Sequence, residues 1–168
     1  MTPAGLEIGA GQKLSGSGRI VGDVVNRGLF SPGNSPGIDN VTGDMTFDRA
    51  GTVLIEIGGL TPGPGSPTVD NGFDQIKISG HAQFGGTLKI QLINTANFTP
   101  QVGQTFDIIT YGAKPIFFLE RISCGNIPFS VFFKIYFLLK PRNFKGEGIF
   151  AVSSKNSWSR YGERSSSA

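Results

Sequence analysis

The chain has 168 residues, of which 25 are glycine and 10 are proline, and only 16% carry charge. That length holds one domain with a sizeable core, and the excess of turn formers favours short strands over long helices. A single cysteine excludes an internal disulfide framework and a cysteine-built zinc cluster. The net charge of +3 resides in the last third: residues 116–168 hold eight Lys/Arg against three Asp/Glu, while residues 1–115 hold seven against nine. So small and scattered a charge gives little ground for nucleic-acid binding.

The opening "MTPAGLEIGAGQ" has neither the basic start nor the apolar stretch of a secretory signal. β-rich runs then follow at 6–8, 19–25, 45–47, 52–57, 75–78, 87–92 and 105–111. In "TVLIEIGG" the side chains of Val53, Ile55 and Ile57 share one face. In "GTLKIQL" Leu88, Ile90 and Leu92 do the same, with Lys89 and Gln91 outward. No capped helical period interrupts them, so this region is all-β. The stretches "GSGRIVGDVV", "TGDMTFDRAGTVLIEI" and "SGHAQFGGTLKIQL" each give a glycine, an alternation, a glycine-bearing turn and a second alternation. Their leading glycines Gly18, Gly43 and Gly80 lie 25 and 37 residues apart, and the longer gap holds a proline-rich loop insertion at 58–72. Imperfect repeats of this kind predict a β-solenoid. A β-sandwich gives similar strands and is the alternative. The exposed strands at either end leave unpaired edges that invite association.

After residue 115 the pattern changes. Eight of the fourteen phenylalanines lie there, and residues 116–150 read as an atypical Phe-rich segment. It contains the most apolar stretch, residues 127–139, which is interrupted by Lys134 and falls short of the about 20 residues a membrane span needs. Residues 151–168 are polar and basic, with the composition of a disordered tail.

The stretch "GAGQKLSGSGRIVGDVVNRGLFSPGNSPGI" resembles the repeat-rich passenger regions of bacterial autotransporters and PEP-CTERM-type surface proteins. Their pattern G-x-I-x-G-x-V-x-N-x-G-x-x-S-P-G-N-S-P-G, followed by h-x-G-D-h-T, is matched at Gly18, Ile20, Gly22, Val24, Asn26, Gly28, Ser31 to Gly37, Gly43, Asp44 and Thr46. The later stretches "LIEIGG", "FDQIKISGHAQFGGTLKIQL" and "FTPQVGQTFDIITY" look like its continuation. The resemblance covers about residues 4–111. It implies a right-handed parallel β-helix in an extracellular or cell-surface protein that serves as a scaffold or adhesin, with no family-wide catalytic residues. The start inside a repeat and the loss of the pattern after "ITYGA" lead to the expectation of a fragment of a larger surface protein. Its tail would be frameshifted or a divergent cap.

Each candidate chemistry meets a simpler account. Gly33-Asn34-Ser35-Pro36-Gly37 spells the G-x-S-x-G of a hydrolase elbow. The residue after the serine is proline, however, with no N–H for an oxyanion hole, so the stretch reads as a turn. "GSGRIVG" lacks the following helix of a dinucleotide site. Asp39, Asp44, Asp48 and Glu56, with Asp70 and Asp74 near the loop, are the carboxylates that glycoside hydrolysis would use. Asp44 and Asp48 flank a turn, where aspartate caps backbone groups, and the only tryptophan, Trp158, lies in the tail. Asp70 and Asp74 are also the pair a weak surface calcium ion would use. His81 reads as a surface residue at a strand edge, and Cys124 receives no role.

The sequence therefore predicts a structural stalk, with no catalysis, no cofactor and no metal. Its partners are adjacent repeats of a larger parent chain. A glycan-binding adhesin module acting on glycans or a host or matrix surface through the 58–72 loop is the alternative, followed by a polysaccharide-degrading enzyme. Neither nucleic acid nor a transmembrane segment is expected.

Overall fold

Alternation does what the sequence asks of it: in β8 (Thr52–Ile57) Val53, Ile55 and Ile57 are buried, while Thr52, Leu54 and Glu56 are half-exposed between them. The computed structural model describes residues 5–33, 36–65, 71–93, 97–101, 104–113, 116–117, 121–124, 132–137, 149–152 and 158–161, the last five spans as backbone only. The other strands are β1 (Leu6–Ile8), β2 (Lys13–Gly16), β3 (Gly18–Ile20), β4 (Val24–Asn26), β5 (Leu29–Pro32), β6 (Ile38–Val41), β7 (Met45–Phe47), β9 (Gln75–Ile78), β10 (Ala82–Phe84), β11 (Thr87–Leu92), β12 (Thr105–Tyr111), β13 (Ile116–Phe117), β14 (Arg121–Cys124), β15 (Phe132–Phe137), β16 (Ile149–Val152) and β17 (Trp158–Tyr161). No helix occurs among the described residues, hence none long and apolar enough to cross a membrane.

Three sheets take every third strand in turn. The first is β1-β4-β7-β10-β13, the second β2-β5-β8-β11-β14 and the third β3-β6-β9-β12-β15, extended by β16 and β17. All pairs among β1–β15 are parallel, and only β15–β16 and β16–β17 are antiparallel. Three consecutive strands, one per sheet, thus make a level, and each level lies on the one before. The Phe-rich segment supplies the strands of a further level, β13 to β15. The polar stretch contributes β17 at Trp158–Tyr161, where its composition calls for no strand.

Equivalent inward residues fall into columns. In the second sheet Leu14, Phe30, Val53 and Leu88 are in register. In the third, Ile20, Val41, Ile78 and Tyr111 are. In the first, Ile8, Asn26 and Phe47 follow one another. The Phe84 ring then stacks on Phe47, with centroids 5.1 Å apart and planes 6° from parallel. Offset aromatic stacking adds to the gain from burial, and Phe84 also meets the edge of Tyr111 at 5.8 Å.

Corners decide where the sequence reading holds and where it shifts. The expected strand at 19–25 is two strands in different sheets, bent at Val21-Gly22-Asp23. The true repeat mark is the glycine of this corner: the register partner of Gly18 is Asp39, whereas the Gly43 backbone lies directly over Gly22. A Cβ on Gly43 would sit 2.5 Å from the Gly22 carbonyl carbon. The same closeness continues upward, with Gly80 N–H donating to Gly43 O at 3.1 Å and Gly112 N–H to Gly80 O at 3.2 Å. Backbones this close exclude any side chain. The 31–37 stretch also shifts in meaning, because Ser31 and Pro32 belong to β5 and the bend links two sheets within one level.

Length variation concentrates at the passage from the second sheet to the third. The connections there are residue 17 alone, 33–37, 58–74, 93–104 and 125–131. Phe84→Ala should cost about 3–5 kcal/mol of unfolding free energy in urea titrations, since it empties the aromatic column. Val25→Ala, on the outward face of β4, should change it by less than about 0.5 kcal/mol.

Candidate functional site

The four carboxylates singled out as a hydrolytic group do not all come together: Asp39 and Glu56 approach Asp74, while Asp44 and Asp48 lie apart on the first sheet. Asp39 lies on β6 in the third sheet and Glu56 on β8 in the second. Asp44 and Asp48 sit just before and just after β7 in the first. Asp44 is exposed, and its Oδ1 accepts the His81 N–H at 2.8 Å. Asp23 does the same one level earlier, accepting the Asp44 N–H at 2.8 Å. These two aspartates tie consecutive levels at the glycine corner. The exposed His81 imidazole lies 3.4 Å from Asp44 Oδ1. Asp48 Oδ1 caps the Ala50 N–H at 3.0 Å, and its Oδ2 lies 3.5 Å from the Arg27 guanidinium, which also pairs with Glu7. The Glu7 hydrogen bond and charge raise the Arg27 pKa further above its ordinary value.

Asp74 is the residue the fold treats differently. It is fully buried, at 0% exposure, where the second-to-third corner returns into β9. Its Oδ1 accepts the Gly37 N–H at 2.7 Å and its Oδ2 the Glu56 N–H at 2.8 Å. Asp39, itself buried, stands nearby and accepts the Gly18 N–H at 2.8 Å. Burial pushes the Asp74 carboxyl up to about 7 against the pull of both backbone donors, and the negative charges of Glu56 and Asp39 push the same way. Burial also raises Asp39, partly offset by the Gly18 N–H.

This arrangement takes Asp74 out of the surface pair that a weak calcium ion would use with Asp70. Asp74 is not on the surface, and both of its oxygens already serve backbone donors; Asp70 lies outside the described residues. Ser35 lies outside them too. Gly33 takes a positive φ of 81°, and a Cβ on it would stand 2.2 Å from Gly37 N, so the bend admits no larger residue at that position. Gly18, within "GSGRIVG", opens β3 rather than a helix. Cys124 is in backbone register with Ile90 on β14. Among the described residues no three His, Cys, Asp or Glu side chains are grouped to hold a metal ion. A narrow apolar crevice lined by Phe47, Val53, Phe84, Gly85, Thr87, Leu88 and Ile109 leaves about 10 Å³ of space, room for no more than about one water.

Two buried polar groups went unread in the sequence. Asn26 occupies an interior column at 0% exposure, donating from Nδ2 to Thr52 O at 3.0 Å and accepting the Gly28 N–H at 3.2 Å. Gln75, 5% exposed, donates to the Asp107 carbonyl at 2.6 Å. The signal for Asn26 was its place in "VVN", on the inward phase of an alternation; Asp74 carried none beyond preceding a strand.

No protein-family model matches this chain, and no match was found among the curated proteins or the solved structures.

The carboxylate roles separate by mutation. Asp74→Asn replaces one of two acceptors by a donor facing an N–H, and should lower stability by about 1–3 kcal/mol in urea unfolding at pH 5. Asp44→Asn keeps an oxygen for the His81 N–H and should cost less than about 1 kcal/mol in the same measurement.

Proposed function

We propose that this chain is a structural segment of a bacterial cell-surface or secreted protein, a right-handed parallel β-helix that acts as scaffold or stalk. The observation that carries the reading is the regular pairing of each strand with the one three places on, always parallel, through β15. Stacked interior columns accompany it, and the acidic side chains hold backbone rather than line a cleft. A two-sheet sandwich pairs its strands antiparallel, so the parallel ladders favour the helix over that alternative. The working parts are then ladder hydrogen bonds and stacked apolar residues, and the partners are adjacent repeats of a larger parent chain. An extracellular setting belongs to the same proposal and rests on the resemblance of residues 4–111.

Nuclear Overhauser contacts should link Thr52 with Thr87 and Lys89 with Leu54, the parallel register partners of β8 and β11; contacts of opposite strand order overturn the β-helix. In a panel of polysaccharides the protein should release no products. Turnover that disappears in Asp44→Asn would replace the scaffold by an enzyme.

A second reading, a glycan-binding adhesin module, draws on the connections stacked at one corner. A Cβ on Gly58 would lie 2.8 Å from the Ile93 side chain, and Gly63 approaches Ile38 in the same way. The 58–65 stretch thus touches both neighbouring levels while Leu60 stays half-exposed. Glycan-array binding that is lost in Leu60→Asp would establish this reading, and an array without signal would retire it.

A further inference from the structure

We propose that Asp74 is a protonation-controlled latch: it seats the 71–74 segment against β6 and β8 while neutral, and frees it as the carboxyl ionises. The geometry is that of a clasp. The two carboxyl oxygens hold N–H groups from two elements far apart in the chain, Gly37 at the bend before β6 and Glu56 within β8. The adjoining Phe73 is 3% exposed and meets the Phe106 ring edge-on at 5.4 Å. The rest of the hold on this segment is main-chain: Phe73 N–H to Thr61 O, Gly63 N–H to Phe73 O, Gly58 N–H to Gly72 O and Asp74 N–H to Glu56 O.

The charged groups acting on the clasp are acidic. β6 brings Asp39 and β8 brings Glu56, while β12 meets this region through the main-chain carbonyl of Asp107, which takes the Gln75 amide. On β9 the nearest cation, Lys77, is exposed on the outward phase of the strand, and the 33–37 bend has no charged residue. An ionised Asp74 therefore meets low dielectric and like charge, with no counter-ion beside it among the described residues. Opening returns it to water and to its ordinary affinity for protons. The folded carboxyl holds its proton up to about pH 7, so the closed state binds more protons than the open one. The latch is tightest below the ordinary carboxyl range and loosens as pH rises toward 7.

Native-state hydrogen exchange of the full chain tests this. After correction for intrinsic exchange, the opening constants of the Gly37 and Glu56 amides should rise about tenfold per pH unit between about pH 5 and 7 and level off above. In Asp74→Asn that pH dependence should vanish, whereas Asp39→Asn, which removes a negative charge that holds the Asp74 carboxyl up, should only move its levelling-off to lower pH. Opening constants that stay flat in the natural sequence overturn the latch, as does a slope that persists in Asp74→Asn. If Asp74→Asn does not fold, the carboxyl carbon shift of Asp74 in the natural sequence decides: a midpoint near 7 supports the latch, and one near the ordinary 3.8 overturns it.

Discussion

Everything in this molecule depends on parallel strands staying in register with the strand three places before them. A parallel ladder offsets its backbone desolvation only when each strand finds its neighbour at one fixed height. That condition forces like positions of successive levels to lie over one another. Val41 on Ile20 and Ile78 on Val41 are consequences of it, and so is the glycine corner, where the spacing of levels leaves no room for a Cβ between Gly22, Gly43 and Gly80. The polar groups obey the same rule. Asp23 and Asp44 reach one level up, Asp39 and Asp74 one level down, and each relieves a backbone N–H that the ladder leaves over at a corner.

Most of the strands were legible because alternation is a local property. The runs at 52–57, 87–92 and 105–111 coincide with β8, β11 and β12. Among the strands of three or four residues, β1, β7 and β9 coincide with the runs at 6–8, 45–47 and 75–78, and others were harder. β2, β5, β6 and β10 carry too few alternations to stand out, and β5 ends in Pro32 inside what reads as a turn. The repeat itself was legible, but its phase was not. Gly18 and Gly43 both lead apolar runs, and only the register reveals that Gly22 is the partner of Gly43.

The carboxylates show the limit of reading function along a chain. Asp39, Asp44, Asp48 and Glu56 are neighbours in sequence, yet successive corners carry them to different sheets. Asp74 becomes their companion only because a long excursion returns it beside Glu56 and Asp39. Its burial is a tertiary fact with no local signature, since the donors it satisfies lie 37 and 18 residues away.

The longer connections of the chain gather at one edge. Passages into the first sheet and out of it remain short, whereas those from the second sheet to the third lengthen from residue 17 alone to 58–74. Added residues there leave every ladder at its height, because the excursion departs and returns at the same level. Three faces thus keep a fixed geometry, and one seam takes up the differences in connection length, while its 58–74 passage also delivers the buried Phe73 and Asp74. For an engineer, that seam is the natural place to graft a foreign peptide, displayed at intervals of one strand spacing along a fixed line.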